Sequence, residues 1–429
     1  MRIGGRLAAA IEVLQDMEQR HRPVADALKD WGLSHRFAGS GDRAAVGNIV
    51  YGALRRRRTA SWLLDADTPR AHAYGALLTE WELSFEALGR ELEGDRFAPA
   101  PLSPAEQSCL TQRLGQTPPD DVRADCPDWC LPQLESAFGA DWADEAAALA
   151  TRPPLDLRVN TLLSSREKVS LELEETGAMP TLLAPNGLRI APIQGAGRHP
   201  NVQAEPAFQQ GWFEVQDEGS QVVAALAGAG MGMQVLDYCA GAGGKTLALA
   251  AAMENGGRIH AFDAEKARLA PIFDRLRRSG ATNVEVVGRE KSLAPLSGQM
   301  DIVLVDAPCT GSGTWRRRPD AKWRLSPKQV EARTAEQTAI LDKARTYVRP
   351  GGLLVYITCS VFRDENAAQV EAFLARDGGF SPVDHGDLWR SHHPGREDAA
   401  RIDRRLGISL TPARSGTDGF YFAALRRES

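Results

Sequence analysis

The chain lacks any apolar run approaching the roughly 20 residues that a membrane-crossing helix requires, so no membrane association is expected. Nothing near its start reads as an export signal: the apolar stretch 6–14 is interrupted by Glu12 and followed at once by Asp16, Glu18 and Arg20, the pattern of an amphipathic helix. Cysteine is scarce. Six thiols in 429 residues, at 109, 126, 130, 239, 309 and 359, are too few for a disulfide scaffold and are expected in reduced form, in a cytoplasmic protein. Cys126 and Cys130 have a spacing that could ligate zinc, but no second cysteine or histidine pair stands nearby, so no metal site is expected. An excess of positive charge is missing too. The 51 Lys and Arg against 56 Asp and Glu leave a net −5, which excludes a uniformly basic surface but not local patches. Three arginine runs, 55–58, 316–318 and 426–427, could each pair with phosphates. The first, taken alone, reads as a solvated helix face.

What is present is an ordinary globular composition, 43% hydrophobic and 25% charged, in a chain longer than one core usually organises. Residues 1–95 are rich in Ala and Leu at helical spacing (Leu7, Ile11, Leu14; Val24, Leu28, Trp31; Ile49, Leu54), which predicts a small all-helical domain. Proline and small residues over 97–104 make a linker, and the segment 96–150 is expected as this linker followed by further helices, stopped by Pro153 and Pro154. From 151 to 220 short strands (155–159, 187–190) flank a helix over 165–176, a small α+β module. From 221 to 429 helices alternate with short apolar strands at 234–238, 258–262, 284–287, 301–305 and 353–357. That alternation predicts an α/β fold with a doubly wound, mainly parallel sheet.

The first of those strands runs into Cys239-Ala240-Gly241-Ala242-Gly243-Gly244-Lys245-Thr246 and then a helix starting near Leu247. Small residues let such a backbone turn sharply and approach a ligand at a helix N-terminus. A triphosphate-binding loop would need glycine where Cys239 stands. A dinucleotide loop would need glycine or alanine where Thr246 stands. The remaining class is S-adenosyl-L-methionine, whose amino acid part sits by the glycine turn and whose ribose hydroxyls need an acidic acceptor at the end of the next strand. Asp263, 22 residues beyond Gly241, is placed for that role. The loop residues 239–241 and 243–245 complete the expected cofactor site, together with Asp306.

Strand 301–305 ends in Asp306-Ala307-Pro308-Cys309, and strand 353–357 in Thr358-Cys359-Ser360. Both thiols therefore reach the sheet edge where ligands bind in such folds. A single cysteine at a strand end reads as a small buried hydrophobe, but two thiols with a carboxylate at one edge suit cytosine chemistry. Carbon 5 of that ring is a poor nucleophile until a thiolate adds to carbon 6. An acid near N3 assists, a part Asp306 could take if burial raised its pKa, and Lys245 could lower the pKa of a neighbouring thiol. A base must afterwards take the proton from carbon 5, and a second cysteine is a candidate.

These residues resemble the Nol1/Nop2/Sun family of RNA (cytosine-5) methyltransferases over nearly the whole chain. The specific pieces are Asp-Ala-Pro-Cys-Thr-Gly-Ser-Gly at 306–313, Thr-Cys-Ser at 358–360 with Glu365 and Asn366, and Ala-Gly-Ala-Gly-Gly-Lys-Thr at 240–246. Arg158-Val159-Asn160, Val215-Gln216-Asp217 and Asp418-Gly419-Phe420-Tyr421 add to them. The resemblance implies a Rossmann-like S-adenosylmethionine-dependent domain, a NusB-like RNA-binding helical head and an RNA-binding middle module. It implies Cys359 as nucleophile, Cys309 as the residue assisting product release, and Asp306 and Lys245 as holders of the target base. It also implies a monomer acting on RNA, namely 16S rRNA. The family's aspartate after the third strand is missing, since Val287 is followed by Gly288-Arg289-Glu290, so no adenine contact is assigned. Two other classes stand against this one: a catalytically silent RNA-binding assembly factor, which would need none of the four reactive residues, and a nicotinamide-dependent oxidoreductase.

Overall fold

In the computed structural model, which describes residues 1–429, the chain forms two units. The first comprises Met1–Pro153, Pro192–His199 and Thr314–Leu325, and the second Pro154–Ala191, Pro200–Gly313 and Ser326–Ser429. No helix is long and apolar enough to cross a membrane.

The first unit is helical and extends beyond residue 95 to Pro153. Helices Ile3–Arg20, Ser40–Arg55 and Pro69–Thr79 bury Leu7, Leu14, Ile49, Val50 and Leu77 in one core. Thr68 caps the third by accepting the Ala71 N–H, with proline at the first helical position. The 97–104 stretch is less of a free linker than its composition predicts. Ser103 and Glu106 form a capping box that starts helix Pro104–Arg113, and Leu102 and Leu110 join the core of Leu7 and Ile49.

The arginines at 55–58 are not a solvated face. Arg55 is buried and donates to Glu80 at 3.1 Å and to the Arg316 carbonyl at 3.3 Å, while Arg56, Arg57 and Arg58 pair with Asp125, Asp67 and Asp121. The acidic partners come from elsewhere along the chain, which helical spacing cannot reveal. Lys322, on helix Pro319–Arg324, is fully buried in the same unit and donates to the Arg55 carbonyl at 3.0 Å.

The second unit holds two sheets. Strands β1 (Leu155–Val159), β2 (Met179–Pro180), β3 (Gly187–Ile190) and β4 (Phe213–Val215) make a small antiparallel sheet in the order β2-β3-β1-β4. Helix Arg166–Glu172, capped by Ser165, buries Val169 in the cluster that contains Leu157 and Leu188.

The larger sheet contains β5 (Gln234–Asp237), β6 (Arg258–Phe262), β7 (Val284–Val287), β8 (Met300–Asp306) and β9 (Val348–Thr358), all parallel, in the order β9-β8-β5-β6-β7. Its alternate residues enter two different cores. Val235, Ile302, Leu304, Val355 and Ile357 meet Val222, Leu226 and Leu249 of helices Glu218–Leu226 and Gly244–Ala252. Leu236, Val303, Val305, Leu354 and Tyr356 meet Leu341 and Phe373 of helices Pro327–Ala344 and Ala367–Arg376. A sheet covered on both faces explains why its strands read as continuous apolar runs. Four short strands, β10 (Phe380–Pro382), β11 (Arg401–Asp403), β12 (Gly407–Leu410) and β13 (Phe420–Arg427), extend it, with β13 antiparallel to β9. The chain leaves β5 for β6 on one side while β8 pairs with it on the other. That reversal opens a crevice at the carboxyl ends of β5 and β8.

Candidate active site

The turn after β5 is shaped by its glycines. Gly241 and Gly243 have φ of 50° and 84°, and a Cβ on Gly243 would lie 2.5 Å from Cγ1 of Ile272. Only glycine meets both demands. Gly243 is the N-cap of helix Gly244–Ala252, which therefore starts three residues before Leu247, where spacing placed it. Cys239 and Ala240 are buried, Cys239 beside Tyr238 and Ala240 beside Leu269, and the Ala240 N–H donates to the Phe262 carbonyl at 2.8 Å. Burial pushes the Cys239 thiol far above its ordinary range. These two residues thus offer a ligand backbone rather than side chain.

Asp263 stands at the end of β6 with one oxygen accepting the Gly241 N–H at 2.9 Å and the other the Glu265 N–H at 2.8 Å. A carboxylate has further acceptor positions, and a Cβ on Gly241 would sit 3.7 Å from Arg268 Nη2 and 4.0 Å from Asp263 Oδ2. Asp237, at the end of β5, is wholly buried. Thr246 Oγ1 donates to its Oδ2 at 2.7 Å, its Oδ1 has no partner, and burial pushes its pKa up to about 7. A glycine cradle, a carboxylate at the next strand end, an orphaned buried oxygen and the unpaired N–H groups of a helix start fit a ligand that carries a charged amino acid end and a ribose.

Cys309 and Cys359 follow the adjacent parallel strands β8 and β9, and their Sγ atoms are 3.4 Å apart. Both are half-buried. The hydrogen bond with Cys359, then burial, then the charges of Cys359 and Glu365 push the Cys309 thiol well above its usual range. The loop carrying Cys309 is stitched to its neighbours: Ala307 N–H donates to the Ile357 carbonyl and Gly313 N–H to the Cys359 carbonyl, each at 2.9 Å, and Gly419 N–H to the Gly313 carbonyl at 2.8 Å. A side chain on Gly313 would strike the Gly419 carbonyl at 2.1 Å, so the closing Asp418-Gly419-Phe420 segment belongs to this site.

Lys245 donates to Asp306 Oδ2 at 2.6 Å and lies 5.4 Å from the Phe420 ring centre. Its side chain is 7% exposed and that of Asp306 34%. Lys245 and Asp306 thus form an ion pair at the end of β8.

Several functional neighbours carry no chemical signature in the sequence. Glu365 is fully buried and bonded to the loops of both cysteines. Gln337, on helix Pro327–Ala344, donates to the Pro308 carbonyl at 3.0 Å. After β7, Glu290 accepts from Tyr238 Oη at 2.8 Å and pairs with Lys343. Arg158 and Asn160 act within the second unit, Arg158 donating to Gln216 at 2.6 Å and Asn160 to the Gly211 and Ser279 carbonyls. Arg426 and Arg427 donate to the Gly351 and Val348 carbonyls rather than standing free.

Sheet order, glycine turn and acidic strand end together define an S-adenosylmethionine-dependent methyltransferase with a Rossmann-like domain. Residues 226–426 match the family model "16S rRNA methyltransferase RsmB/F", and residues 126–193 match the ferredoxin-like domain of RsmF/B-like methyltransferases. A relative in Erwinia tasmaniensis, ribosomal RNA small subunit methyltransferase B, is 34% identical over 98% of both chains. Among solved structures, a methyltransferase homolog from Pyrococcus horikoshii shares 25% identity over 72% of this chain and 97% of its own, with a TM-score of 0.59. NSun6 from the same organism, solved with SFG, shares 22% over 71% and 98%, with a TM-score of 0.61. The chain belongs to the RsmB/F family of 16S rRNA methyltransferases.

Proposed function

We propose that this protein methylates carbon 5 of a cytosine in 16S rRNA through a covalent bond between Cys359 and carbon 6 of the ring. The observation that carries the reading is the thiol pair, two sulfurs 3.4 Å apart at the crevice edge with the Lys245–Asp306 pair at the end of β8. S-Adenosylmethionine, held by the 239–245 loop and Asp263, supplies the methyl group. A folded RNA offers such a base only when it is unpaired or flipped out.

The residues divide the work by position. The Cys359 thiolate adds to carbon 6, and the ring's electrons move toward N3, where Asp306 in its acid form donates a proton that returns to it when the ring is restored at the end. Carbon 5, now an enamine carbon, takes the methyl group. Cys309 then removes the proton from carbon 5, and the returning double bond expels the Cys359 thiolate. The pair supplies the timing. Before attack the hydrogen bond with Cys359 and its charge hold the proton on Cys309. Once Cys359 is a thioether its charge is gone, and Cys309 gives up its proton to solvent more readily when a base is needed. The helical unit and the antiparallel module serve to bind RNA in this reading.

The test is a pair of alanine variants assayed with tritiated cofactor and rRNA. Cys359→Ala should transfer no methyl group and form no bond to RNA. Cys309→Ala should transfer methyl but release slowly, so that a retarded protein–RNA band accumulates on a denaturing gel. A trapped band from Cys359→Ala with free turnover by Cys309→Ala would reverse the two roles, and full activity of both would end the covalent reading.

A further inference from the structure

The most heavily bonded carboxylate at the site belongs to Glu365, a residue with no place in the reaction scheme. It is 0% exposed. Its Oε1 accepts the Thr310 N–H at 2.8 Å and Gln337 Nε2 at 3.1 Å, and its Oε2 accepts Thr310 Oγ1 and Ser360 Oγ, each at 2.5 Å. Thr310 directly follows Cys309, and Ser360 directly follows Cys359. The carboxylate is thus bonded to the residue next to each thiol.

The surroundings reinforce that reach. Asn366 accepts from Thr358 Oγ1 at 2.5 Å and donates to the Ser360 carbonyl at 2.8 Å, which grips the Cys359 turn from both sides. Tyr356 Oη donates to the Glu365 carbonyl at 2.7 Å and fixes the backbone that carries the carboxylate. Removing a carboxylate from water is costly unless its hydrogen bonds are complete. A fold that needed only to fill this volume would do so more stably with an apolar side chain or an amide. The charge also lies on the Cys309 side of the pair, where it opposes ionisation of that thiol.

We propose that Glu365 is a positioning residue for the two-thiol reaction: its carboxylate ties the Cys309 loop to the Cys359 turn. The proposal rests on the covalent reading above. It deepens that reading by naming what holds two thiols on separate loops at one working distance. Small displacements of reacting groups are enough to matter, since about 1 Å of misplacement can cost on the order of 100-fold in rate.

The experiment compares Glu365→Gln with wild type by steady-state methyl transfer to rRNA and by calorimetric titration of S-adenosylmethionine. The amide keeps the shape and can still accept from Thr310, but it lacks the charge. The expected result is a fall in kcat of roughly 30- to 100-fold, with KM for RNA and cofactor affinity unchanged. In a Cys309→Ala background, Glu365→Gln should slow the appearance of the retarded protein–RNA band by a similar factor. Wild-type kcat in Glu365→Gln overturns the proposal, as does a loss of kcat matched by an equal loss of cofactor affinity. If Glu365→Gln does not fold, Ser360→Ala and Thr310→Val each remove one hydroxyl bond to the carboxylate. Each should lower kcat several-fold without moving cofactor affinity, and wild-type kcat in both overturns the proposal. Activity retained by Cys359→Ala would instead refute the covalent reading on which the proposal stands, whereas an inactive Cys359→Ala beside a fully active Glu365→Gln refutes the proposal alone.

Discussion

Gly243→Ala tests the cofactor turn at its tightest point. The new methyl would arrive with φ near 84°, 2.5 Å from Ile272 Cγ1 and 2.9 Å from Cδ1. The left-handed conformation costs a non-glycine residue about 1–2 kcal/mol, and forcing a methyl into a filled site costs a further ~1–3 kcal/mol. The two contributions separate in a double-mutant cycle. Ile272→Ala by itself opens a cavity worth ~2–5 kcal/mol, because Ile272 is 0% exposed. It also deletes the two clashing atoms and leaves only Cβ, at 3.6 Å from the new methyl. The double variant should therefore be more stable than the sum of the singles by about 1–3 kcal/mol, with the backbone strain remaining. Urea melts give the stabilities and calorimetry the cofactor affinity, which should fall about tenfold in Gly243→Ala as the turn that anchors Asp263 through the Gly241 N–H is displaced. Additivity to within about 0.5 kcal/mol would mean that Gly243 and Ile272 do not meet, and undiminished affinity would mean that this turn does not hold the cofactor.

Asp263→Ala removes both a ribose acceptor and the anchor of the Gly241 N–H, so S-adenosylmethionine binding should weaken by about 1–3 kcal/mol; an unchanged dissociation constant in calorimetry would rule out the proposed register. Asp237 is protonated in the fold up to about pH 7 but loses its proton near its ordinary value once unfolded. Its burial therefore erodes stability as pH rises through that window, by at most about 4 kcal/mol. Asp237→Asn, which can still accept from Thr246, should gain stability over wild type in urea melts at pH 8 but not at pH 4, and equal stability at pH 8 would show that the carboxyl is not held as described.

Much of the site was legible in the residues because the determining interactions are local. Glycines at 241 and 243 announce a turn that no other residue can make, and strands β5, β6 and β7 fall within a residue of their expected ends because a doubly covered sheet writes unbroken apolar runs. Asp306, Cys309 and Cys359 are each placed by a strand that ends beside them. The edge strands β11 and β12 left no such trace, since β12 is held by β13 and β11 by β12 rather than by a buried apolar run of their own.

Tertiary structure alone decided the partners. That Cys309 and Cys359, 50 residues apart, come to 3.4 Å follows from β8 and β9 being neighbours, a matter of strand order. The helical unit gathers Pro192–His199 and Thr314–Leu325 from far along the chain, and the carboxylates that neutralise Arg55 to Arg58 lie on other helices and loops, so a run of like charge became a set of ion pairs. Glu365 shows the division most clearly. Its sequence neighbours say only that it follows a strand, whereas its four hydrogen bonds come from residues brought together by β8, β9 and helix Pro327–Ala344. Local sequence sets backbone conformation because sterics act between adjacent residues. Charge and proton placement depend on distance through space, which only the packed chain determines.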